Sequence, residues 1–595
     1  MIFSEEIKGL ITQAIYQLYN VSIETSQILI EPTKKEFEGD VTFVVFPYLK
    51  ISKKSPVETA KQIGEIVVQS SGLISSFQAV AGFLNLSINN KVYVDAFLNP
   101  ALKTSSIKPN PVLVEYSSPN TNKPLHLGHI RNILLGFSLS RILAADGNNI
   151  KKVNIVNDRG VHICKSMLAW QLFGNNETPE STGIKGDHLV GKYYVVFDAK
   201  YREQVTEMEA RGISKDVAEK QAPLMLQVQE MLRKWETGDE AVLSLWQTMN
   251  GWVYDGFDIT YSKLGVDFDE IYYESNTYLL GKEIVAAGLN KGVFFKKEDG
   301  SVWVDLTDEG LDLKLLQRSD GTSVYITQDL GTAKLRFDAY NFDKMIYVVG
   351  NEQDYHFKVL RLVFKKLGYP FWDKLYHMSY NMVDLPSGKM KSREGTVVDA
   401  DDLIAQTIAN AETLTRSMGK LDVYDDAHAQ QLYHTIGMGA LKYYILKVDP
   451  EKRMLFNPAE SIDINGNTGP FIQYAYARIK SILRKAGNDE TVKNLIHLKL
   501  DVSQIKPEEK EKELLKAVLQ FDETVHEAAT KLAPSLVAAY AFETAKLYNQ
   551  FYHDHVVIDL EKTTTTAFRL QLSAKVASCL ANALFLLGIE VPERM

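Results

Sequence analysis

The chain has 595 residues, 45% of them apolar and 24% charged. That length exceeds a single core and suggests roughly four domains of ordinary globular make-up. A net charge of −9 excludes a protein coated in basic charge for nonspecific DNA binding, while local potential still admits RNA. Two cysteines, Cys164 and Cys579, exclude a disulfide framework and a cysteine-rich zinc site, and fit a reducing cytosol.

The first residues, MIFSEEIKGLITQAIYQL, alternate acids with apolar residues at helical spacing and lack the basic start and cleavage site of a secretory leader. No apolar run is long enough to span a bilayer. Residues 1–105 are expected to form a small α+β domain. A helix over about 3–20 leads to strands at TFVVFPYL and AGFLNLSI, with an Ala/Ile/Val-rich helical stretch between them. The Pro/Ser/Asn-rich segment ending at Pro111 reads as a linker.

Residues 106–400 read as an α/β domain. VLVEYS is a buried strand, SPNTNKPLHLGH a turn-rich loop, IRNILLGFSLSRILAADG a helix ending at a glycine, and KKVNIVND a further strand. That succession is the unit of a parallel sheet. Strand signals recur at MIYVVG and, weakly, near KLYHMSYNMV. A charged, mostly helical stretch at 183–262 reads as an insertion. Beyond about 400 the strands stop. Connecting helices over 401–460 precede a helical bundle over 461–595.

Two segments carry chemistry. In SSPNTNKPLHLGH, His126 and His129 stand three residues apart at a helix start, so one face of the first turn can present both imidazoles. Gly128 lacks a side chain and admits a flat base or ribose. The helix N-terminus offers N–H groups and positive potential to phosphate. A metal pair is disfavoured, because no cysteine or acid stands nearby at ligand spacing. In SGKMKSREGTVV, two glycines flank Lys389, Lys391 and Arg393, as suits a loop closing cations over a triphosphate.

Together these segments resemble the HIGH and KMSKS signatures of class I aminoacyl-tRNA synthetases. The likeness to the arginyl enzymes runs through EFEGD, GNTGPFIQYAYARI and the ending LLGIEVPERM. The resemblance implies a Rossmann-like parallel-sheet catalytic domain, a C-terminal helical anticodon-binding bundle and an N-terminal domain that touches the corner of the tRNA. It implies catalytic roles for His126, His129, Lys123, Lys389 and Arg393, and ATP contacts at Leu127, Gly128, Met390, Lys391 and Ser392. Ser392 replaces the lysine of the general loop pattern, and Lys123 is expected to supply that charge from the other side of the phosphates.

The resemblance also assigns arginine binding to Glu115, Asn120, Tyr325, Asp329 and Gln353. Glu115 and Asn120 would face the α-amino end, with Tyr325 and Asp329 at the guanidinium. A planar acceptor fork separates guanidinium from ammonium, which charge alone cannot do. Tyr325 and Asp329, four apart, would share a helix face.

The implied reaction consumes ATP, with Mg2+ carried by the nucleotide and no metal held by protein. Its partners are L-arginine and tRNA(Arg), with neither DNA nor a membrane, for a cytoplasmic monomer that needs bound tRNA before it activates arginine. Tyr474 and Arg478, in a helix that also carries Tyr476, Lys480, Arg484 and Lys485, are candidates for tRNA contact, although tyrosines at this spacing equally suit a core. Phe37, Gly39 and Asp40 are expected to shape the N-terminal fold. A lysyl or glutamyl class I enzyme, or an inactive tRNA-binding paralogue, is the alternative reading.

Overall fold

The computed structural model describes residues 3–100, 107–384, 398–417 and 425–595. The N-terminal unit is a four-stranded antiparallel sheet of β1 (Ile30–Pro32), β2 (Val41–Val44), β3 (Ile74–Val80) and β4 (Phe83–Ile88), in the order β1-β2-β4-β3. Helices Ser4–Tyr19 and Pro56–Ser70 lie in this unit and bury Ile7, Ile11, Ile15, Ile63 and Val67. The TFVVFPYL segment is extended only to Val44. Pro47 cannot donate to a ladder, and Phe46–Tyr48 turns into a 3-10 helix. The strand at Ile74–Val80 has exposed, poorly alternating residues and gave no clear sequence signal.

The α/β domain is built on five parallel strands: β5 (Pro111–Glu115), β6 (Asn149–Val156), β7 (Glu270–Tyr273), β11 (Lys344–Gly350) and β12 (Leu375–Tyr380). Their order is β12-β11-β5-β6-β7. The chain leaves β5 in one direction through β6 and β7, then returns to its other side through β11 and β12. The crevice beyond the carboxyl ends of β5 and β11 is therefore a topological switch point, where open α/β sheets bind ligands. Three short strands escaped the sequence reading and form a separate antiparallel sheet: β8 (Phe294–Lys296), β9 (Val302–Val304) and β10 (Lys314–Gln317). The insertion is helical as expected, with Gly186–Ala210, Lys215–Gln221, Pro223–Glu236 and Glu240–Leu264.

Beyond residue 400, helices Ala400–Ser417 and Asp426–Leu446 lead to the bundle of Gly469–Asn488, Glu509–Lys531, Pro534–Asp554 and Thr563–Leu586. One two-residue strand, β14 (Met454–Leu455), pairs with β13 (Val383–Asp384), so strands do not stop entirely at 400. Asp40 joins the first domain to the bundle. It is 5% exposed on its side chain, accepts from Ile88 N at 2.7 Å, and pairs with Lys516 and with Lys512 at 3.5 Å. Gly39 holds φ +133°, and a Cβ there would lie 3.0 Å from Asn85 Cβ, so these residues shape the fold.

Candidate active site

After β5 the chain turns sharply. Ser117 and Ser118 take left-handed backbone angles, φ 76° and 45°, which cost non-glycine residues on the order of 1 kcal/mol each. The turn is held from several sides. Ser117 N donates to Asn132 Oδ1 at 2.5 Å, Ser118 N donates to Asn154 Oδ1 at 2.9 Å, and the hydroxyls of Ser117 and Tyr261 meet at 2.7 Å. The next residues pair with the end of β6: Asn157 N donates to Pro119 O at 2.9 Å and Thr121 N to Asn157 O at 3.0 Å. Asn120 is thereby fixed against Asn157 at the end of β6.

The histidine pair caps helix Leu127–Ala145. His126 Nδ1 accepts from Gly128 N at 3.1 Å, and His129 Nδ1 accepts from His126 N at 3.1 Å. The ring centroids lie 3.9 Å apart. An Nδ1 that accepts is unprotonated, so each neutral ring carries its proton on Nε2 as a donor. Burial, then the Lys123 charge, pushes His126 down to about 4; burial, then His126 and Lys123, pushes His129 well below the usual range. Burial also lowers Lys123. At Gly128 a Cβ would lie 3.0 Å from His126 Cε1, so the missing side chain also makes room for the His126 ring.

Lys389, Met390, Lys391, Ser392 and Arg393 lie outside the described residues. The chain just beyond them is anchored on the histidines. Leu127 N donates to Val398 O and Ala400 N to Leu125 O, both at 3.0 Å, around an antiparallel bridge between His126 and Asp399. Asp399 caps helix Ala400–Ser417 through the N–H groups of Asp401 and Asp402, and meets His188 Nε2 at 3.0 Å. Burial alone would raise the Asp399 carboxyl; the His188 and backbone hydrogen bonds outweigh it and hold it below the usual range. Asp187, His188 and Asp401 stand close enough to hold a cation. The Lys185 ammonium already fills that role, at 2.6 Å from Asp401, 3.1 Å from Asp187 and 2.6 Å from Thr260.

A cleft of about 1200 Å³ opens at the switch point, and Glu115, Asn120, Tyr325, Asp329 and Gln353 all line it. It is lined by both polar and apolar groups and is large for a small-molecule site. His126 and His129 are not in its lining. Tyr325 opens helix Tyr325–Tyr340 and is 76% exposed at the rim. Asp329 Oδ2 lies 2.6 Å from His356 Nε2. Glu115 is buried and paired with Arg336, so it is not a free carboxylate.

Sequence reasoning missed His356, Arg336 and Glu274. Glu274 lines the cleft immediately after β7. Burial raises it to about 7, against the Arg159 charge and helped by Asp158 and Asp329. The rule that found Glu115, an acid at the carboxyl end of a parallel strand, would have found Glu274 had β7 been recognised.

On the bundle, Tyr476 is core: it is 7% exposed, with its hydroxyl on Glu593 at 3.2 Å. Arg484 donates to Glu593 O at 2.8 Å and Lys480 pairs with Glu593 at 3.2 Å, so these residues tie down the chain end. Arg478 lies 4.9 Å from the Tyr474 ring and 5.2 Å from the Tyr552 ring, and donates to Asn549 at 2.5 Å.

Three family models match in chain order. "Arginyl tRNA synthetase N terminal domain" covers residues 5–88, "tRNA synthetases class I (R), catalytic domain" covers 94–457, and "DALR anticodon binding domain" covers 472–595. The chain is 54% identical to the arginine–tRNA ligase of Parabacteroides distasonis over 100% of both chains, and 54% identical to that of Bacteroides fragilis over 97% of each. Its fold matches arginyl-tRNA synthetase of Thermus thermophilus with a TM-score of 0.81 at 24% identity, covering 100% of both, and that of Plasmodium falciparum at 0.77 and 19%, covering 100% and 99%. With all three domain models in order and full-length identity above half, the chain belongs to the class I arginyl-tRNA synthetase family.

Proposed function

We propose that the chain is an arginine–tRNA ligase that activates L-arginine with ATP and transfers it to the 3′-terminal ribose of tRNA(Arg), releasing AMP and pyrophosphate. The observation that carries the substrate reading is the single cleft at the switch point, where Glu115, Asn120, Tyr325, Asp329 and Gln353 converge. The relatives, arginine ligases over their full length, favour this over a lysyl or glutamyl enzyme or an inactive paralogue.

Arginine lies with its guanidinium toward Asp329 and Tyr325 and its α-amino group toward Glu115 and Asn120. Its carboxylate attacks the α-phosphate in line, and the ribose hydroxyl then attacks the adenylate. The chemistry is positioning plus neutralisation of phosphate charge. His126 and His129 give Nε2–H donors without cationic charge, and the helix start adds N–H groups and a positive dipole end. Lys123, whose charge bears on both imidazoles, supplies charge to the phosphates, as do Lys389, Lys391 and Arg393. Leu127, Gly128, Met390 and Ser392 complete the nucleotide contacts.

Mg2+ enters with ATP, and the protein holds no metal of its own. Tyr474 and Arg478 meet the tRNA. The enzyme works as a cytoplasmic monomer and activates arginine only with tRNA bound. Labelled-pyrophosphate exchange into ATP tests the reading: arginine with tRNA(Arg) supports exchange, and glutamate and lysine do not. Exchange that follows another amino acid would overturn it.

A further inference from the structure

Helix Tyr325–Tyr340 carries two functional side chains on one face. Asp329 reaches the cleft, and Arg336 lies two turns further along, below it. Arg336 is fully buried, and its Nη1 donates to Glu115 Oε2. The guanidinium packs 4.5 Å from the Tyr272 ring centroid, on the neighbouring edge strand β7. Glu115, at the end of the central strand β5, is 6% exposed and lines the same cleft as Asp329. One rigid side chain therefore ties the helix that bears one acid of the slot to the strand that bears the other. The first half of the helix is fixed separately, by Gly331 against the backbone of Gly281 and by the Thr327 hydroxyl on Leu316 O.

A buried ion pair is a poor stabiliser, because desolvation of both partners offsets their attraction, and an apolar pair of the same volume serves a core as well. A guanidinium hydrogen-bonded through Nη1 does something an apolar residue cannot. It fixes the direction and reach of the carboxylate it holds. At this place it fixes the Glu115 carboxylate relative to Asp329.

We propose that Arg336 is a positioning residue that sets the separation of Glu115 and Asp329, and so the length of the cationic amino acid that the slot accepts. The inference rests on the reading that those two acids hold opposite ends of arginine. Substrates differing from arginine by one methylene, homoarginine above all, probe it directly.

The experiment uses the full chain with tRNA and follows pyrophosphate exchange for arginine and homoarginine. Arg336→Lys keeps the charge and replaces the Nη1 donor with an ammonium of shorter reach. It raises the arginine KM at least 10-fold, leaves the ATP KM within about 2-fold, and lowers the preference for arginine over homoarginine about 10-fold. Tyr272→Leu removes the ring beneath Arg336 and shifts the same preference in the same direction by about 3-fold, which keeps the test open if Arg336→Lys does not fold. An unchanged preference in whichever variants fold, or arginine and ATP KM values rising together, overturns the proposal. Asp329→Asn run alongside separates the two layers. If it leaves the arginine KM unchanged, the slot reading itself fails; if it raises that KM while Arg336→Lys and Tyr272→Leu do not, only the role of Arg336 fails.

Discussion

Leu127 donates its backbone N–H to the carbonyl of Val398 at 3.0 Å, which fastens the chain ahead of helix Ala400–Ser417 to the first turn of the histidine helix. The link joins the backbone just before helix Ala400–Ser417 to the cap of the histidine helix. The chain that follows the cationic segment returns to the backbone between Leu125 and Leu127, and His188 and Lys185 of the helical insertion hold it there through Asp399 and Asp401.

Lys123 stands three residues before His126, half-buried beside it, and burial lowers its pKa. Lys123→Ala is expected to slow arginyl-adenylate formation more than Lys391→Ala does. Single-turnover adenylation with tRNA present makes the comparison; equal, small effects remove the assignment.

The Asp329 carboxylate shares a 2.6 Å contact with His356, in the cleft that Glu115 also lines. Losing one charged hydrogen bond typically costs about 1.5–3 kcal/mol, or roughly 10- to 150-fold in affinity. Asp329→Asn should raise the arginine KM by that range while the ATP KM holds. Steady-state kinetics against both substrates decide it, and an arginine KM within 2-fold of wild type rules the role out.

Much of this site could be read from the sequence, because its parts obey local rules. The strand-loop-helix succession placed His126 at a helix cap, and the 3.6-residue period placed Tyr325 and Asp329 on one face. What the sequence hid is long-range or short-stranded. Arg336 and Glu115 meet only because β5 and helix Tyr325–Tyr340 pack together in the fold, and no spacing rule joins them. Strands of three or four residues, such as β7 and β8, show too little alternation to detect, and Glu274 was lost with β7. The sequence assigns the histidine pair to the nucleotide in preference to capping; its Nδ1 atoms are engaged in capping the helix.

His126 gives a pH signature. Its ordinary value is 6.5 and the folded value is about 4, so between these the unfolded chain binds a proton that the folded chain refuses. Stability therefore rises with pH through that window and is lost as pH falls from 6.5 toward 4. By pH 5.5 this one group accounts for about 1.4 kcal/mol of lost stability. His126→Asn should lose less stability than wild type between pH 7.5 and 5.5 by about that amount, in urea unfolding at each pH. Identical losses in both proteins would contradict the buried, neutral imidazole.

Asp40 should govern how firmly the N-terminal domain sits on the bundle. Asp40→Asn removes the charge that faces Lys512 and Lys516 while keeping an acceptor for Ile88 N. Removing one partner of a largely buried pair leaves the lysines uncompensated. Hydrogen exchange should quicken at the domain contact around residues 39–41 and 512–516, with β5, β6 and β11 unchanged. Uniform exchange across the chain, or none altered, would show that the contact carries no docking energy.

The central claim is that one acid-lined cleft and one ATP site act together on arginine. Amino-acid-dependent pyrophosphate exchange, run with and without tRNA(Arg) across arginine, lysine and glutamate, tests it most directly. Label should enter ATP with arginine and tRNA together, and remain at background with lysine or glutamate. Exchange driven as well by lysine, or no exchange with any of the three in the presence of tRNA, would contradict the account.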